Sequence, residues 1–252
     1  MIEIFLLSLI QGITEFLPIS SSSHLIIFSD LTDYENKNLS IDVSLHIGSF
    51  LAVITYFHKD IKSFIQNKNI IFKILLASLP VMFFGFFLVQ TDLIEKIRNI
   101  KTIGWTTLIF GILMYISDKF KLEKNINIDL SYKSAFFIGL FQILSLIPGV
   151  SRSGISITAA RFLKFKRFDA AKISFLLSIP TLGAVSVFGI KNFIISEDVG
   201  ISMLSLISIL FSYIFSLITI NYFLKYIERF SLNVFVLYRI ILGIILLGLA
   251  YL

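Results

Sequence analysis

No cysteine occurs among the 252 residues, which excludes disulfides, a thiol nucleophile and a thiolate metal site. Charge is scarce too: Asp, Glu, Lys and Arg make up 15% of the chain, against 56% for hydrophobic residues, and the mean hydropathy is +0.90. A soluble domain of this length needs far more polar side chain to cover its surface. Histidine appears only as His24, His46 and His58. A lipid phosphatase working through two histidines, one of them well after a Ser-Arg motif, is therefore excluded. The first Lys or Arg is Lys37, so the apolar N-terminus lacks the basic leader of a signal peptide and is expected to stay in the mature protein.

What is present is a series of apolar runs. Six are long enough to cross a bilayer, at about 42–58, 70–90, 102–117, 171–191, 202–224 and 233–251. The net charge of +6 does not point to nucleic acid, because the basic residues fall in short stretches between these runs. Two further segments, 2–29 and 134–163, are apolar but broken near the middle by Pro18-Ile19-Ser20-Ser21-Ser22-Ser23-His24 and Pro148-Gly149-Val150-Ser151-Arg152-Ser153-Gly154. Each half is roughly 11–16 residues, about 16–24 Å as helix, and too short to cross. Backbone freed at such a break is tolerated only where protein or a water-filled cavity covers it. Both segments are therefore expected to be re-entrant hairpins.

The breaks resemble each other. Gln11 precedes Pro18 by seven residues and Gln142 precedes Pro148 by six, and superposing the prolines places Ser21 over Ser151 and Ser23 over Ser153. The expected architecture is a single all-α membrane domain over 1–252, with six transmembrane helices and two re-entrant hairpins. It divides into a hairpin with three spans over about 1–118 and the same again over about 132–252. An odd number of spans per repeat inverts the second copy, the layout in which broken helices meet near the midplane to form a site. On this topology fifteen Lys and Arg residues fall on one side, within 59–73, 119–133, 161–172 and 225–229; five fall on the other, at Lys37, Lys96, Arg98, Lys101 and Lys191. The first side is then cytoplasmic, and both termini and the mouth of the first hairpin face outward. The basic run from Arg161 to Arg167 reads as a topology anchor that touches anionic headgroups.

Glu15 is the single acidic residue between Ile4 and Ser29, and an ionisable group at membrane depth is a functional candidate by default. Gln11 lies one helical turn before it on the same face. Ser20, Ser21, Ser22 and Ser23 place hydroxyls at a new helix N-terminus, where backbone amides suit an anionic oxygen, although one or two of them suffice as a cap. His24 follows directly. A permanently charged Arg152 at a hairpin tip needs an anion, and its planar fork suits phosphate. Ser151, Ser153 and Ser156 add hydroxyls there, while Gly149 and Gly154 permit close backbone approach. His46 and His58 read as structural, and Trp105 and the many phenylalanines as lipid-facing or packing groups.

The stretch Gln11-Gly12-Ile13-Thr14-Glu15, followed by Pro18, the serines and His24, together with Pro148-Gly149-Val150-Ser151-Arg152-Ser153 and His46-Ile47-Gly48-Ser49-Phe50-Leu51-Ala52, resembles the bacterial undecaprenyl-diphosphate phosphatase family associated with bacitracin resistance. The likeness runs over the whole chain; Ser23 and Ser156 depart from the Gly or Ala and the Thr of many members. The resemblance implies hydrolysis of undecaprenyl diphosphate to undecaprenyl phosphate and inorganic phosphate, in the bacterial cytoplasmic membrane, at a site open to the outer face. It implies Glu15 as acid or base and as metal ligand, Ser21 as phosphate contact or nucleophile, His24 as the family histidine and Arg152 as phosphate clamp. Gln11, Ser20, Ser22, Gly149, Ser151, Ser153, Gly154 and Ser156 would surround the diphosphate. A divalent cation (Mg or Ca) is the expected cofactor, membrane lipids are partners, and a homodimer is a candidate assembly. A transporter or lipid flippase is the alternative that an inverted repeat allows, and stoichiometric phosphate release in detergent separates the two.

Overall fold

The structure, a computed structural model, describes residues 1–31, 39–66, 68–89, 91, 96–195 and 203–251. Twelve α-helices follow one another among them: α1 (Ile2–Thr14), α2 (Ser21–Leu31), α3 (Leu39–Tyr56), α4 (His58–Gln66), α5 (Lys68–Val89), α6 (Ile100–Asp118), α7 (Ile126–Asp129), α8 (Tyr132–Ile143), α9 (Arg152–Phe162), α10 (Arg167–Ile195), α11 (Met203–Arg229) and α12 (Asn233–Tyr251). A 3-10 turn over Leu144–Leu146 extends α8. No strand forms among the described residues.

Five helices, α5, α6, α10, α11 and α12, are long and apolar enough to cross a membrane, and α3 with α4 makes a sixth if the bent pair is one span. The chain is a multi-pass membrane protein. The expected run 42–58 ends early because α3 stops at Tyr56 and the chain turns by 67° into α4. The reason lies in the sequence: Lys59, Lys62 and Ser63 are exposed on α4 while Phe64 is buried, the two-faced pattern of a helix lying along an interface. The four half-helices α1, α2, α8 and α9 have 13, 11, 12 and 11 residues, about 16–20 Å each, short of a hydrocarbon core of about 30 Å.

The halves exchange contacts. α1 lies along α11 and α8 lies along α5, while α3 packs on both α10 and α11 and α6 on α12. Both exchanged crossings are made at a glycine. A Cβ on Gly12 would stand 2.5 Å from Phe215 Cβ, and one on Gly139 would stand 2.5 Å from the Ala77 carbonyl oxygen.

The breaks match in backbone conformation, with a register one residue away from the proline superposition. Ser20 and Ser151 have φ of 75° and 72° and stand immediately before α2 and α9. In each, the serine hydroxyl lies beside the hydroxyl two residues on: Ser20 and Ser22 at 3.3 Å, Ser151 and Ser153 at 3.2 Å. With these two residues as origin, Ser22 rather than Ser23 corresponds to Ser153, and Ser21 corresponds to Arg152. Gln11 and Gln142 then coincide without a gap, each nine residues upstream. Helix initiation sets the register, and the prolines sit in turns of different length.

One end of the molecule is tied by polar contacts. Lys172 Nζ is 2.5 Å from Asp60 Oδ1, Arg167 forks onto Asp118 at 2.7 and 3.0 Å, and the Leu232 amide donates to Asp118. These contacts bring together the chain segments that carry the fifteen basic residues. Arg161, expected among headgroups, is instead fully buried. It faces Asp118 at 3.4 Å and donates to the carbonyls of Phe120 and Phe165, because the loops before α7 and α10 leave carbonyls that need a donor inside the protein. The opposite break depends on Gly149, whose φ is +91° and whose added Cβ would meet Thr106 Oγ1 at 2.1 Å. Gly149→Ala is expected to destabilise by about 2–3 kcal/mol or more, read as a lower melting temperature of the purified protein in detergent.

Candidate active site

Glu15 closes α1 with helical backbone angles, so its side chain sits one turn above that of Gln11. Gln11 Nε2 donates to Glu15 Oε2 at 3.0 Å, and the Ser21 hydroxyl donates to the same oxygen at 2.8 Å. Arg152 reaches across from the other break and donates through Nη2 to Glu15 Oε1 at 2.7 Å, with 7% of the glutamate side chain exposed. Residues 137 apart in sequence therefore form one buried, charge-compensated cluster. Burial makes the pairing necessary, since neither charge is tolerated alone in low dielectric. Arg152 Nη1 donates to the Ser174 carbonyl at 3.3 Å, which leaves further guanidinium N–H groups for a ligand.

A cavity of about 700 Å³ lies over this cluster, lined by Glu15, Ser20, Ser21, Ser22, Ser151 and Arg152 on its polar side, with His46, Gln142 and Ser145. The first residues of α2 and α9 thus stand at the same space. Two helix N-termini, with their free amides and positive dipole ends, favour an anion there. Most of the remaining wall is apolar: Val81, Met82, Gly85 and Phe86 from α5, and Leu182, Ala184, Val185 and Phe188 from α10, with Thr14 and Thr181 beside them. Phe86 and Phe188 are 59% and 45% exposed, so the apolar side opens between α5 and α10 at the surface that faces lipid.

The expected residues separate into two groups. Glu15, Ser20, Ser21, Ser22, Ser151 and Arg152 line the cavity, and Gln11 orients Glu15 from behind. Gly149, Ser153, Gly154 and Ser156 do not line it. Ser153 donates to the Leu17 carbonyl at 2.8 Å and so joins one break to the other. A Cβ on Gly154 would stand 2.9 Å from Arg239 Nη1, and Ser156 is fully buried with no hydrogen-bond partner for its hydroxyl. His24 turns away from the cavity. Its Nδ1 is 2.7 Å from the Ser20 carbonyl and its Nε2 is 2.5 Å from the Tyr238 hydroxyl, with the two rings stacked.

Two residues outside the expected set matter. His46 lines the cavity with Nδ1 3.0 Å from Gln11 Nε2, a contact in which the amide nitrogen donates. Arg239, 1% exposed, gives its donors to the carbonyls of Pro18, Gly149, Val150 and Thr107 at 3.0–3.3 Å. It clasps both breaks from α12. An arginine inside an apolar span was a legible signal for it; His46 had no such mark.

The donor set bears on the expected cation. Among the described residues no group of three His, Cys, Asp or Glu gathers as metal ligands, and Glu15 already accepts from three donors. A divalent cation fits only where the ligand supplies most of the oxygens, as Mg²⁺ commonly does with phosphates.

The family described as bacitracin resistance protein BacA matches residues 4–245. The chain is 49% identical over 251 residues to the undecaprenyl-diphosphatase of Pelagibacter ubique (strain HTCC1062), covering 99% of this chain and 98% of that protein. It is 40% identical over 261 residues to the undecaprenyl-diphosphatase of Jannaschia sp. (strain CCS1), covering 98% of both. The protein of the same name from Ruegeria sp. (strain TM1040) is 36% identical over 265 residues, covering 100% of this chain and 99% of the relative.

Proposed function

This chain belongs to the bacitracin resistance protein BacA family, and we infer that it hydrolyses undecaprenyl diphosphate to undecaprenyl phosphate and inorganic phosphate. The observation that carries the chemistry is the contact of Glu15 with both Arg152 and Ser21, at 2.7 and 2.8 Å, beneath a cavity with one polar and one apolar wall. Phosphoryl transfer is mainly positioning and charge stabilisation. On this reading the diphosphate lies over the two helix N-termini with its terminal phosphate on the free donors of Arg152 and the hydroxyl of Ser151. The prenyl chain leaves between α5 and α10 into the bilayer.

Glu15 is placed to take the proton of the Ser21 hydroxyl as that oxygen attacks the terminal phosphorus. The bond from this phosphorus to the bridging oxygen breaks, and the electron pair leaves with the lipid monophosphate. Water then cleaves the phosphoserine and releases inorganic phosphate. His24 holds the left-handed Ser20 through its carbonyl, so its role here is to position the hydroxyl cluster. A divalent cation carried by the diphosphate, with Glu15 as its single carboxylate, would add charge neutralisation on the phosphate oxygens.

The two hairpins form an inverted repeat on this reading, supported by the matched breaks and the exchanged helix contacts. The basic segments gathered at one end face the cytoplasm, and the cavity opens to the outer face of the bacterial inner membrane.

Purified protein in detergent is expected to release one phosphate per undecaprenyl diphosphate, where no translocation can be scored; no release would overturn the assignment. Ser21→Ala is expected to lower kcat about 100-fold with little change in KM, and rapid-quench mass spectrometry of the wild type should capture phosphate on Ser21.

A further inference from the structure

Gln142 is fully buried, lines the cavity, and has no hydrogen-bond partner for either Nε2 or Oε1. Buried side-chain amides are rarely left without partners, because each end loses its water on folding. Gln11 stands at the equivalent place in the first half, nine residues before the left-handed serine, and its Nε2 is committed to Glu15 and His46. The difference has a simple source. Counted from the same origins, five residues before each serine, the first half carries Glu15 and the second carries Leu146. An apolar residue cannot hold the second glutamine, so its buried amide is left without a partner in a residue that lines the cavity.

We propose that Gln142 is a substrate-binding residue that donates through Nε2 to an oxygen of the lipid-side phosphate of the diphosphate. The reading rests on the function inferred above and extends it to the part of the head that Arg152 does not hold. The placement favours the lipid side: α8 packs along α5, whose Val81, Met82, Gly85 and Phe86 form the apolar wall, and Leu146 lies against Gly85, within 3.5 Å of where its Cβ would be. Gln142 therefore stands where the polar floor meets the path of the prenyl chain. Inorganic phosphate, bound at the terminal position alone, would not need it.

The test is Gln142→Leu, close in size and without the amide, so that the fold loses only a group it leaves unpaired. KM for undecaprenyl diphosphate is expected to rise about tenfold with kcat within about threefold, and the melting temperature in detergent is expected not to fall. Methylenediphosphonate, a diphosphate that is not hydrolysed at its bridge, should inhibit the variant about tenfold less well, while inhibition by orthophosphate stays unchanged. An unchanged KM together with unchanged methylenediphosphonate inhibition overturns the proposal, as does an equal loss for orthophosphate. The function itself is judged separately: if the wild type releases no phosphate, that reading fails. In that case thermal protection by methylenediphosphonate, present in the wild type and lost in Gln142→Leu, still decides the role of Gln142.

Discussion

Arg152→Ala is expected to lower kcat/KM for undecaprenyl diphosphate by about 10³-fold or more, the scale on which a single arginine acts in phosphoryl transfer. Two effects are combined in that loss. On the reading proposed above the guanidinium meets charge on the terminal phosphate, and in the structure it neutralises Glu15, which is 7% exposed. Its removal leaves a buried carboxylate unpaired, at a cost of about 3–5 kcal/mol in stability. A double variant separates the two. Glu15→Gln with Arg152→Met replaces the ion pair by neutral groups of similar size and is expected to recover most of the melting temperature while staying inactive. If Arg152→Ala keeps more than a tenth of the wild-type kcat/KM, the clamp assignment is wrong. Arg152→Lys keeps the charge but loses the fork that joins Glu15 to the Ser174 carbonyl, and is expected to remain strongly impaired.

Glu15→Gln is expected to lower kcat by about 10³-fold, within the range for removal of a general base. The sign of the accompanying KM change is the informative part. On the same reading the carboxylate competes with the substrate for Arg152 and repels its phosphate oxygens, so the amide variant is expected to bind undecaprenyl diphosphate as tightly as the wild type or more tightly. Steady-state kinetics in detergent, with a vanadate or methylenediphosphonate binding curve, measures both. Unimpaired kcat in the variant would remove Glu15 from the chemistry and leave it a partner of Arg152 only.

Much of the site could be read before folding was considered, because polar groups in an apolar chain are few and each needs a reason. Glu15, Arg152 and the run Ser20 to Ser23 stood out this way, the family resemblance singled out Ser21 within that run, and the structure joins Ser21 and Arg152 to Glu15 within 2.8 Å. The residues that read less well are those whose chemistry is ordinary. His46 looks like any histidine at the edge of a span, and only the crossing of α1 and α3 sets it beside Gln11. Gly149, Ser153 and Gly154 sit in the same motif as Arg152, yet their work is packing: one fits against Thr106, one bonds to Leu17 and one makes room for Arg239.

The sequence by itself determined that this chain lives in a membrane, that two of its apolar segments are broken near the middle, and which charged groups must find partners. Burial in lipid leaves no water to satisfy them, so composition alone carries that conclusion. Tertiary structure decided which partners they find. It set the register of the two breaks by the left-handed serines rather than by the prolines, turned His24 toward Tyr238 and left the buried Gln142 amide without a partner. Such choices depend on where helices cross, a non-local property that local patterning does not encode.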